Sequence, residues 1–406
     1  MNKDWKKIFM IIWSGQFISI LTSSIVEFAI ILWITMKTGS AEVLALSAVA
    51  SMLPQSLLGP FAGILVDRWP RKTVMIAADS FIALCTMVLA ILFYFGEVQI
   101  VHIYILMVLR SIGGAFHEPA MQASVPLLAP KEELMRISGI NQMIHSVCSI
   151  AGPALGALAI TLMSMTPVLM LDVAGAAVAC ISLLFVTIPN PVREGMTKNI
   201  HLVGETKEAY AAVRKQRGLG WLFLLMTVSM FIIIPISVLY PLMTLNHFHG
   251  NAFQMSVIEM GWGGGALLGG AILGVKKFHW NEMSMISWVM TLLGVAFFFS
   301  GVLPSNGYVL FVVITSITGV LGSFNMAAFT TIIQTRIPSE VMGRVLSFTF
   351  SVGMLPSMLG LLGTGFLADG IGLTNTFMIG GVLMTIVGAY SFMVPSIQYL
   401  KRSLDR

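Results

Sequence analysis

The sequence predicts an all-α integral membrane protein of 12 transmembrane helices in two pseudo-symmetric six-helix bundles. Three observations predict it: a composition too apolar for water, apolar blocks of bilayer length, and a repeat relating the two halves. Of 406 residues, 57% are hydrophobic and 10% charged, whereas roughly a quarter are charged in soluble domains. The mean hydropathy is +0.89. The apolar residues fall in blocks of about 20 to 28, the length a helix needs to cross roughly 30 Å of hydrocarbon. Lipid admits only helices and closed barrels, because every backbone group must be satisfied internally. Barrel strands alternate apolar and polar residues over about ten positions. These blocks are apolar on all faces, so they read as helices.

The spans read as residues 8–36, 42–66, 74–95, 99–121, 137–163, 166–188, 219–245, 252–275, 282–303, 307–335, 341–367 and 372–395. Clusters such as Met163 to Pro167 and Pro304 to Gly307 mark turns between them. The first apolar run continues to about Met36 and lacks a short core followed by a small-residue cleavage site, so it reads as a retained span. An even number of spans puts both termini on one side. With that side cytoplasmic, every one of the 23 lysines and arginines except Lys37 and Arg110 falls on a cytoplasmic segment. So lopsided a split supports both the count and the orientation. It also accounts for the net charge of +5 without a nucleic-acid partner. Trp5, Trp33, Trp69, Trp221 and Trp280 fall near span ends, where amphipathic rings favour the interface.

The expected organisation is a bundle over 1–188, a cytoplasmic linker over 189–218 and a second bundle over 219–406. Within the linker, Thr206 to Arg217 has the pattern either of a plain connection or of an amphipathic helix along the cytoplasmic face. A shift of 208 residues aligns Gly114-Ala-Phe116 with Gly322-Ser-Phe324, Pro130 with Pro338, Glu132 with Glu340, Arg136 with Arg344 and Gly152 with Gly360. Both copies run inward and then back out. The halves are therefore parallel repeats about an axis along the membrane normal. Such a duplication suits alternating access to a site between the halves, and a receptor or scaffold has no evident need of it.

Three motifs sharpen the reading. After span two comes Gly59-Pro-Phe-Ala-Gly63-Ile-Leu-Val-Asp67-Arg68-Trp-Pro-Arg71-Lys72. Span four carries Leu109-Arg110-Ser-Ile-Gly113-Gly114, and span five Gly152-Pro153-Ala-Leu-Gly156. A guanidinium inside a span costs roughly 2.5–3.5 kcal/mol on insertion scales, so Arg110 needs an acid partner or a polar cavity. Proline bends a helix and glycines permit close packing. Together these resemble the signature loop, the span-four arginine motif and the antiporter motif of the major facilitator superfamily. In detail they look most like the macrolide-efflux group of drug:proton antiporters. Pro70 stands where the signature loop usually has a second glycine. The resemblance implies that Gly63, Asp67, Arg68, Arg71 and Lys72 form a cytoplasmic gate. It links Arg110 to proton transfer, and Gly152, Pro153 and Gly156 to export rather than uptake. Span eight offers Gly261, Gly263, Gly264, Gly265, Gly269 and Gly270 as a matching small surface, so a close contact between spans five and eight is expected.

Ionisable residues inside spans are functional candidates by default. Glu27, Asp172 and Glu259 lie in the outer halves of spans one, six and eight, while His117 and Glu118 lie toward the cytoplasmic end of span four. Burial in a low dielectric favours the neutral form of a carboxyl, a property proton-coupled export can use. Glu27 and Glu259 come from opposite halves and are the first candidates for the coupling and substrate site, followed by Asp172, Arg110 and Glu118. Asp79 reads as a structural partner of Arg71 and Lys72, and His117 and His145 as core residues or proton relays. The 29 methionines and 25 phenylalanines permit a lipophilic substrate without requiring one.

Other classes fit less well. No Gly-x4-Gly-Lys-Ser/Thr loop for ATP is present, so transport must use an ion gradient or run downhill. Cys85, Cys148 and Cys180 lie singly in apolar blocks with no metal or disulfide spacing. No Ser/His/Asp set suggests an enzyme. The expected protein is a monomeric, multi-pass cell-membrane exporter of small lipophilic compounds, driven by protons, without cofactor or metal. An exporter or importer of an endogenous metabolite, coupled to another ion, is the alternative; a membrane receptor stands behind it.

Overall fold

The computed structural model describes residues 5–128, 134–188, 211, 213–216, 218–275, 281–337 and 339–395. Most of the expected linker lies outside these. The helices are α1 (Trp5–Thr38), α2 (Ala41–Arg68), α3 (Arg71–Phe95), α4 (Ile100–Leu128), α5 (Leu134–Leu162) and α6 (Met165–Leu184). They continue with α7 (Leu219–Val238), α8 (Tyr240–Asn246), α9 (Ala252–Val275), α10 (Glu282–Val302), α11 (Tyr308–Arg336), α12 (Ser339–Ile371) and α13 (Leu373–Ser391). With α7 and α8 counted as one span, 12 are long and apolar enough to cross a membrane. No strand occurs among the described residues.

Two departures from the hydropathy reading have simple causes. Helix α4 runs to Leu128, past the end of its apolar block, because the backbone ladder does not stop where side chains turn polar. The seventh span breaks at Leu239, where Pro241 opens α8. Proline has no N–H to give to the preceding turn and suits a first helical turn.

Contacts divide the chain into two units: Met1–Thr38 with Leu46–Met196, and Gly39–Ala45 with Thr197–Arg406. In the first, α1 packs on α5 and α6, and α3 on α4 and α6. In the second, α7 packs on α12 and α13, and α10 on α11 and α13. These four pairings recur in each unit, and the second adds extensive packing of α9 on α11. The opening turn of α2 belongs to the second unit because Asp369 of α12 caps it. The Asp369 carboxylate accepts from Ala41 N at 2.8 Å, Glu42 N at 3.0 Å and Ser40 Oγ at 2.8 Å. The two backbone groups are orphan donors of a helix start. The flanks of both units are apolar and exposed, as at Leu162, Phe185, Leu268, Phe299, Leu359 and Met393. Surfaces of this kind suit lipid rather than water.

The motif glycines are used within their own units. A Cβ at Gly152 would meet Ser24 Cβ at 2.7 Å, and one at Gly156 would meet the Ile25 carbonyl oxygen at 2.8 Å, so both serve the α5–α1 contact. In α9, Gly261, Gly265 and Gly269 face Ser316, Val320 and Ser323 of α11. Within each unit these glycines thus serve a neighbour, α1 or α11, that sequence reasoning did not name. Glycine spacing signals close approach without naming the neighbour. The two sides of α9 give a matched test. A Cβ at Gly265 would collide with the Ser316 carbonyl oxygen, while one at Gly264 would meet nothing within 4 Å. Gly265→Ala should cost about 1–3 kcal/mol by overpacking and lower the unfolding midpoint in detergent, with Gly264→Ala near wild type. Equal midpoints for the two would refute this packing.

Candidate functional site

Four helices of the first unit converge on one buried carboxylate. Asp172 of α6 has a side chain 1% exposed. It accepts from Thr86 Oγ1 of α3 at 2.7 Å, from Ser23 Oγ of α1, and from the Arg110 guanidinium of α4. Arg110 also donates to Thr86 Oγ1. Gly175, three residues beyond Asp172, leaves room for Thr22, where a Cβ would clash with its hydroxyl. That close approach lets α1 deliver Ser23. The expensive intramembrane guanidinium thus has the acid partner its position demands.

Glu27 of α1 shares a cavity with Arg110. It lines a cavity of about 150 Å³ with Ile30, Ser51, Gln55, Met107, Arg110, Ser111 and Gly114. The Ser111 hydroxyl accepts from Gln55 N at 3.1 Å, tying α2 to α4 at the cavity wall. Glu27 lies within the electrostatic reach of both Arg110 and Asp172. With Arg110 matched by Asp172, the Glu27 carboxyl is the unmatched acid of these three. A cavity so charged favours a proton or a cation.

The remaining candidates lie elsewhere. Glu118 of α4 accepts from Gln122 Nε2 at 3.1 Å and lies 4.0 Å from His145 of α5. Glu259, on α9 of the second unit, is half-buried and lies within electrostatic reach of buried Tyr240. The structure thus brings Glu27, Arg110 and Asp172 together within the first unit, and does not add Glu118 to them.

Of the signature loop, Gly63, Asp67 and Arg68 fall in the last turns of α2, and their side chains lie outside the described residues. Pro70 sits before α3 with φ −61°, a value proline holds naturally, so the substituted glycine is accommodated. Arg71 is buried. Lys72 Nζ donates to the Leu184 and Val186 carbonyls at 3.3 and 2.8 Å, placing a cation at the C-terminus of α6, where it is favoured.

Sequence reasoning missed the hydroxyls of Ser23 and Thr86, and it paired Asp79 with bases of the loop. Instead, Asp79 Oδ1 lies 3.2 Å from His117 Nε2, and its Oδ2 accepts from Gln16 Nε2 at 3.3 Å. A signal was present: Gln16 and Ser23, Asp79 and Thr86, and Arg110 and His117 are each seven residues apart, so each pair shares a helix face.

Removing one partner of a buried ion pair costs about 3–5 kcal/mol, because the other charge is left uncompensated. Asp172→Asn and Arg110→Gln should each lower the unfolding midpoint strongly, and the double variant should recover part of the loss. Strictly additive losses, read by thermal unfolding in detergent, would contradict a paired arrangement.

The sequence matches the profile of the Major Facilitator Superfamily over residues 12–361. It is 35% identical over 397 residues to the "Macrolide efflux protein A" of Streptococcus pyogenes, covering 98% of each chain. It is 26% identical over 389 residues to the "Multidrug efflux pump Tap" of Mycobacterium tuberculosis strain H37Rv, covering 91% of this chain and 89% of that one. The fold is similar to that of a bacterial homologue of the iron transporter ferroportin in its inward-facing state. The TM-score is 0.72 and the identity 14%, over 96% of this chain and 99% of that one. A transporter of the POT family gives a TM-score of 0.73 at 12% identity, over 98% and 96%. A duplicated bundle, a buried span-four arginine and a profile match over most of the chain agree: this protein belongs to the major facilitator superfamily.

Proposed function

We propose that this protein exports lipophilic, macrolide-like drugs from the cell by alternating access, driven by inward proton flow. The observation that carries the reading is Glu27. It faces a cavity beside an arginine whose charge Asp172 already matches. Such a carboxyl is free to exchange a proton for a cationic drug, because losing the proton creates the charge that attracts the drug. Two efflux relatives, one named for macrolides and one for multiple drugs, support the choice of substrate class. The lysine and arginine distribution supports a plasma-membrane orientation with both termini cytoplasmic. In this reading the protein works as a monomer, and transport uses no enzymatic step.

In the proposed cycle, protonation of Glu27 from outside removes the cavity's excess negative charge and lets the emptied site turn inward. A drug reaching the site from the cytoplasmic leaflet displaces the proton to the inside. Asp172 holds Arg110 in place throughout. Glu259 gives the second unit an acid of its own, available to a cationic substrate. The gate residues Asp67, Arg68, Arg71 and Lys72 close the cytoplasmic end, and Gly152, Pro153 and Gly156 support the α5–α1 packing that the cycle must preserve or release.

In inverted vesicles, an imposed pH gradient should drive accumulation of erythromycin or a fluorescent drug, and collapsing it should abolish the accumulation. Glu27→Gln should lose at least about ten-fold in gradient-driven rate and bind a cationic drug more weakly than the wild type. Accumulation that ignores the gradient would point to another driving ion. Folded protein that moves no drug would point to an endogenous metabolite.

A further inference from the structure

A second polar layer crosses the first unit two helical turns from the Arg110 layer. The same three helices build it at a constant offset: Ser23 gives way to Gln16 on α1, Thr86 to Asp79 on α3, and Arg110 to His117 on α4. Seven residues span about 10.5 Å of helix, so the layers are stacked and distinct. Between them α3 carries Ile82 and α4 carries Gly113. A Cβ on that glycine would lie 2.6 Å from Ile82 Cγ1, so the isoleucine side chain fills the gap. On its far side the second layer meets an apolar cluster that includes Trp13, Met75, Phe116 and Met121.

We propose that His117 and Asp79 form a proton-binding site of their own, separate from the Glu27 cavity. His117 Nε2 and Asp79 Oδ1 are 3.2 Å apart, with side chains 14% and 6% exposed. A proton taken up by an imidazole so close to a carboxylate is held by a charge-assisted hydrogen bond between the two. Gln16, wholly buried, fixes Asp79 through its amide N–H, while its own carbonyl Oε1 has no hydrogen-bond partner among the described residues. His117 Nε2 likewise lacks a well-formed hydrogen bond among the described residues despite its 3.2 Å approach to Asp79 Oδ1, so a proton placed between the two would complete one.

The surroundings hold the other groups that matter to the pair's charge. Glu118 follows His117 on α4 and lies beside His145 of α5. Cys180 of α6 approaches Ser80 at 3.7 Å, and Arg71 stands two turns before Asp79 on α3. From the α2 side, Trp69 stacks on Phe116. The site lies toward the end of the unit that holds the α2–α3 turn, whereas Glu27 lies 11 residues beyond Gln16 on α1, about three turns deeper. Its existence is independent of the exporter reading. Its use, as the station where a proton leaves toward the cytoplasm, rests on that reading.

The test is nuclear magnetic resonance of the imidazole nitrogens in histidine-labelled full-length protein in lipid nanodiscs. The seven histidines are followed from about pH 5 to about pH 9, the range over which imidazoles change charge. His117→Gln assigns the signal by its disappearance. The expected result is a protonation step at His117 whose midpoint moves by about one pH unit or more in Asp79→Asn and stays in place in Glu27→Gln. A His117 signal fixed in one protonation state across the range would overturn the site. So would a midpoint indifferent to Asp79. The wild-type titration reads the first point even if Asp79→Asn fails to fold. Absence of pH-driven drug transport with a titrating His117 would sink the exporter reading alone, and gradient-driven transport with a silent His117 would sink this site alone.

Discussion

The constraint on which the first unit depends is a positive charge placed inside a membrane-spanning helix. Arg110 cannot be left alone there, because its insertion carries a penalty that packing against apolar neighbours cannot offset. The answer is Asp172 on α6, with Thr86 of α3 and Ser23 of α1 completing its shell. Much else follows from satisfying that one cation. Gly175, less than one turn past Asp172 on α6, is needed because α1 must approach closely enough to contribute a hydroxyl. In this way a four-helix junction is fixed by electrostatics, while the flanks stay apolar for the bilayer.

The polar chemistry is unevenly shared between the two copies of the repeat. At the positions 208 residues beyond Arg110 and His117, α11 carries Thr318 and Asn325, both neutral. The second unit shares four helix pairings with the first but not these charges. Glu259 on α9 is the acid it offers instead. A duplicated fold can specialise in this way because close helix packing rests on small residues, as in α9 on α11, that the charged residues do not share.

Much of this was legible in the sequence. Twelve apolar blocks of bilayer length report on the constraint that lipid places on a backbone, and the structure has 12 helices to match. Arg110 and Asp172 stand out because charge inside a span is costly, and Glu27 for the same reason. The partners of these residues are less legible. Ser23 and Thr86 are hydroxyls of a kind that helices readily satisfy on their own carbonyls, so nothing marks them individually. Proximity along the chain favours Arg71 and Lys72 as partners of Asp79. Instead, Lys72 turns to the end of α6 and Asp79 faces α4. The glycines of α5 and α9 announce close approach, and the neighbours they meet within their own units, α1 and α11, are not encoded by spacing alone.

In the proposed mechanism Asp172 is committed to Arg110, while Glu27 remains available to exchange a proton. Infrared difference spectroscopy of the protein in lipid, between alkaline and acidic buffer, tests this most directly. A protonated carboxyl gives a carbonyl stretch that a carboxylate lacks. The expected result is such a band on acidification of the wild type, with a component missing from Glu27→Gln. A band that is unchanged in Glu27→Gln would contradict the mechanism, and would mean that the proton is carried elsewhere.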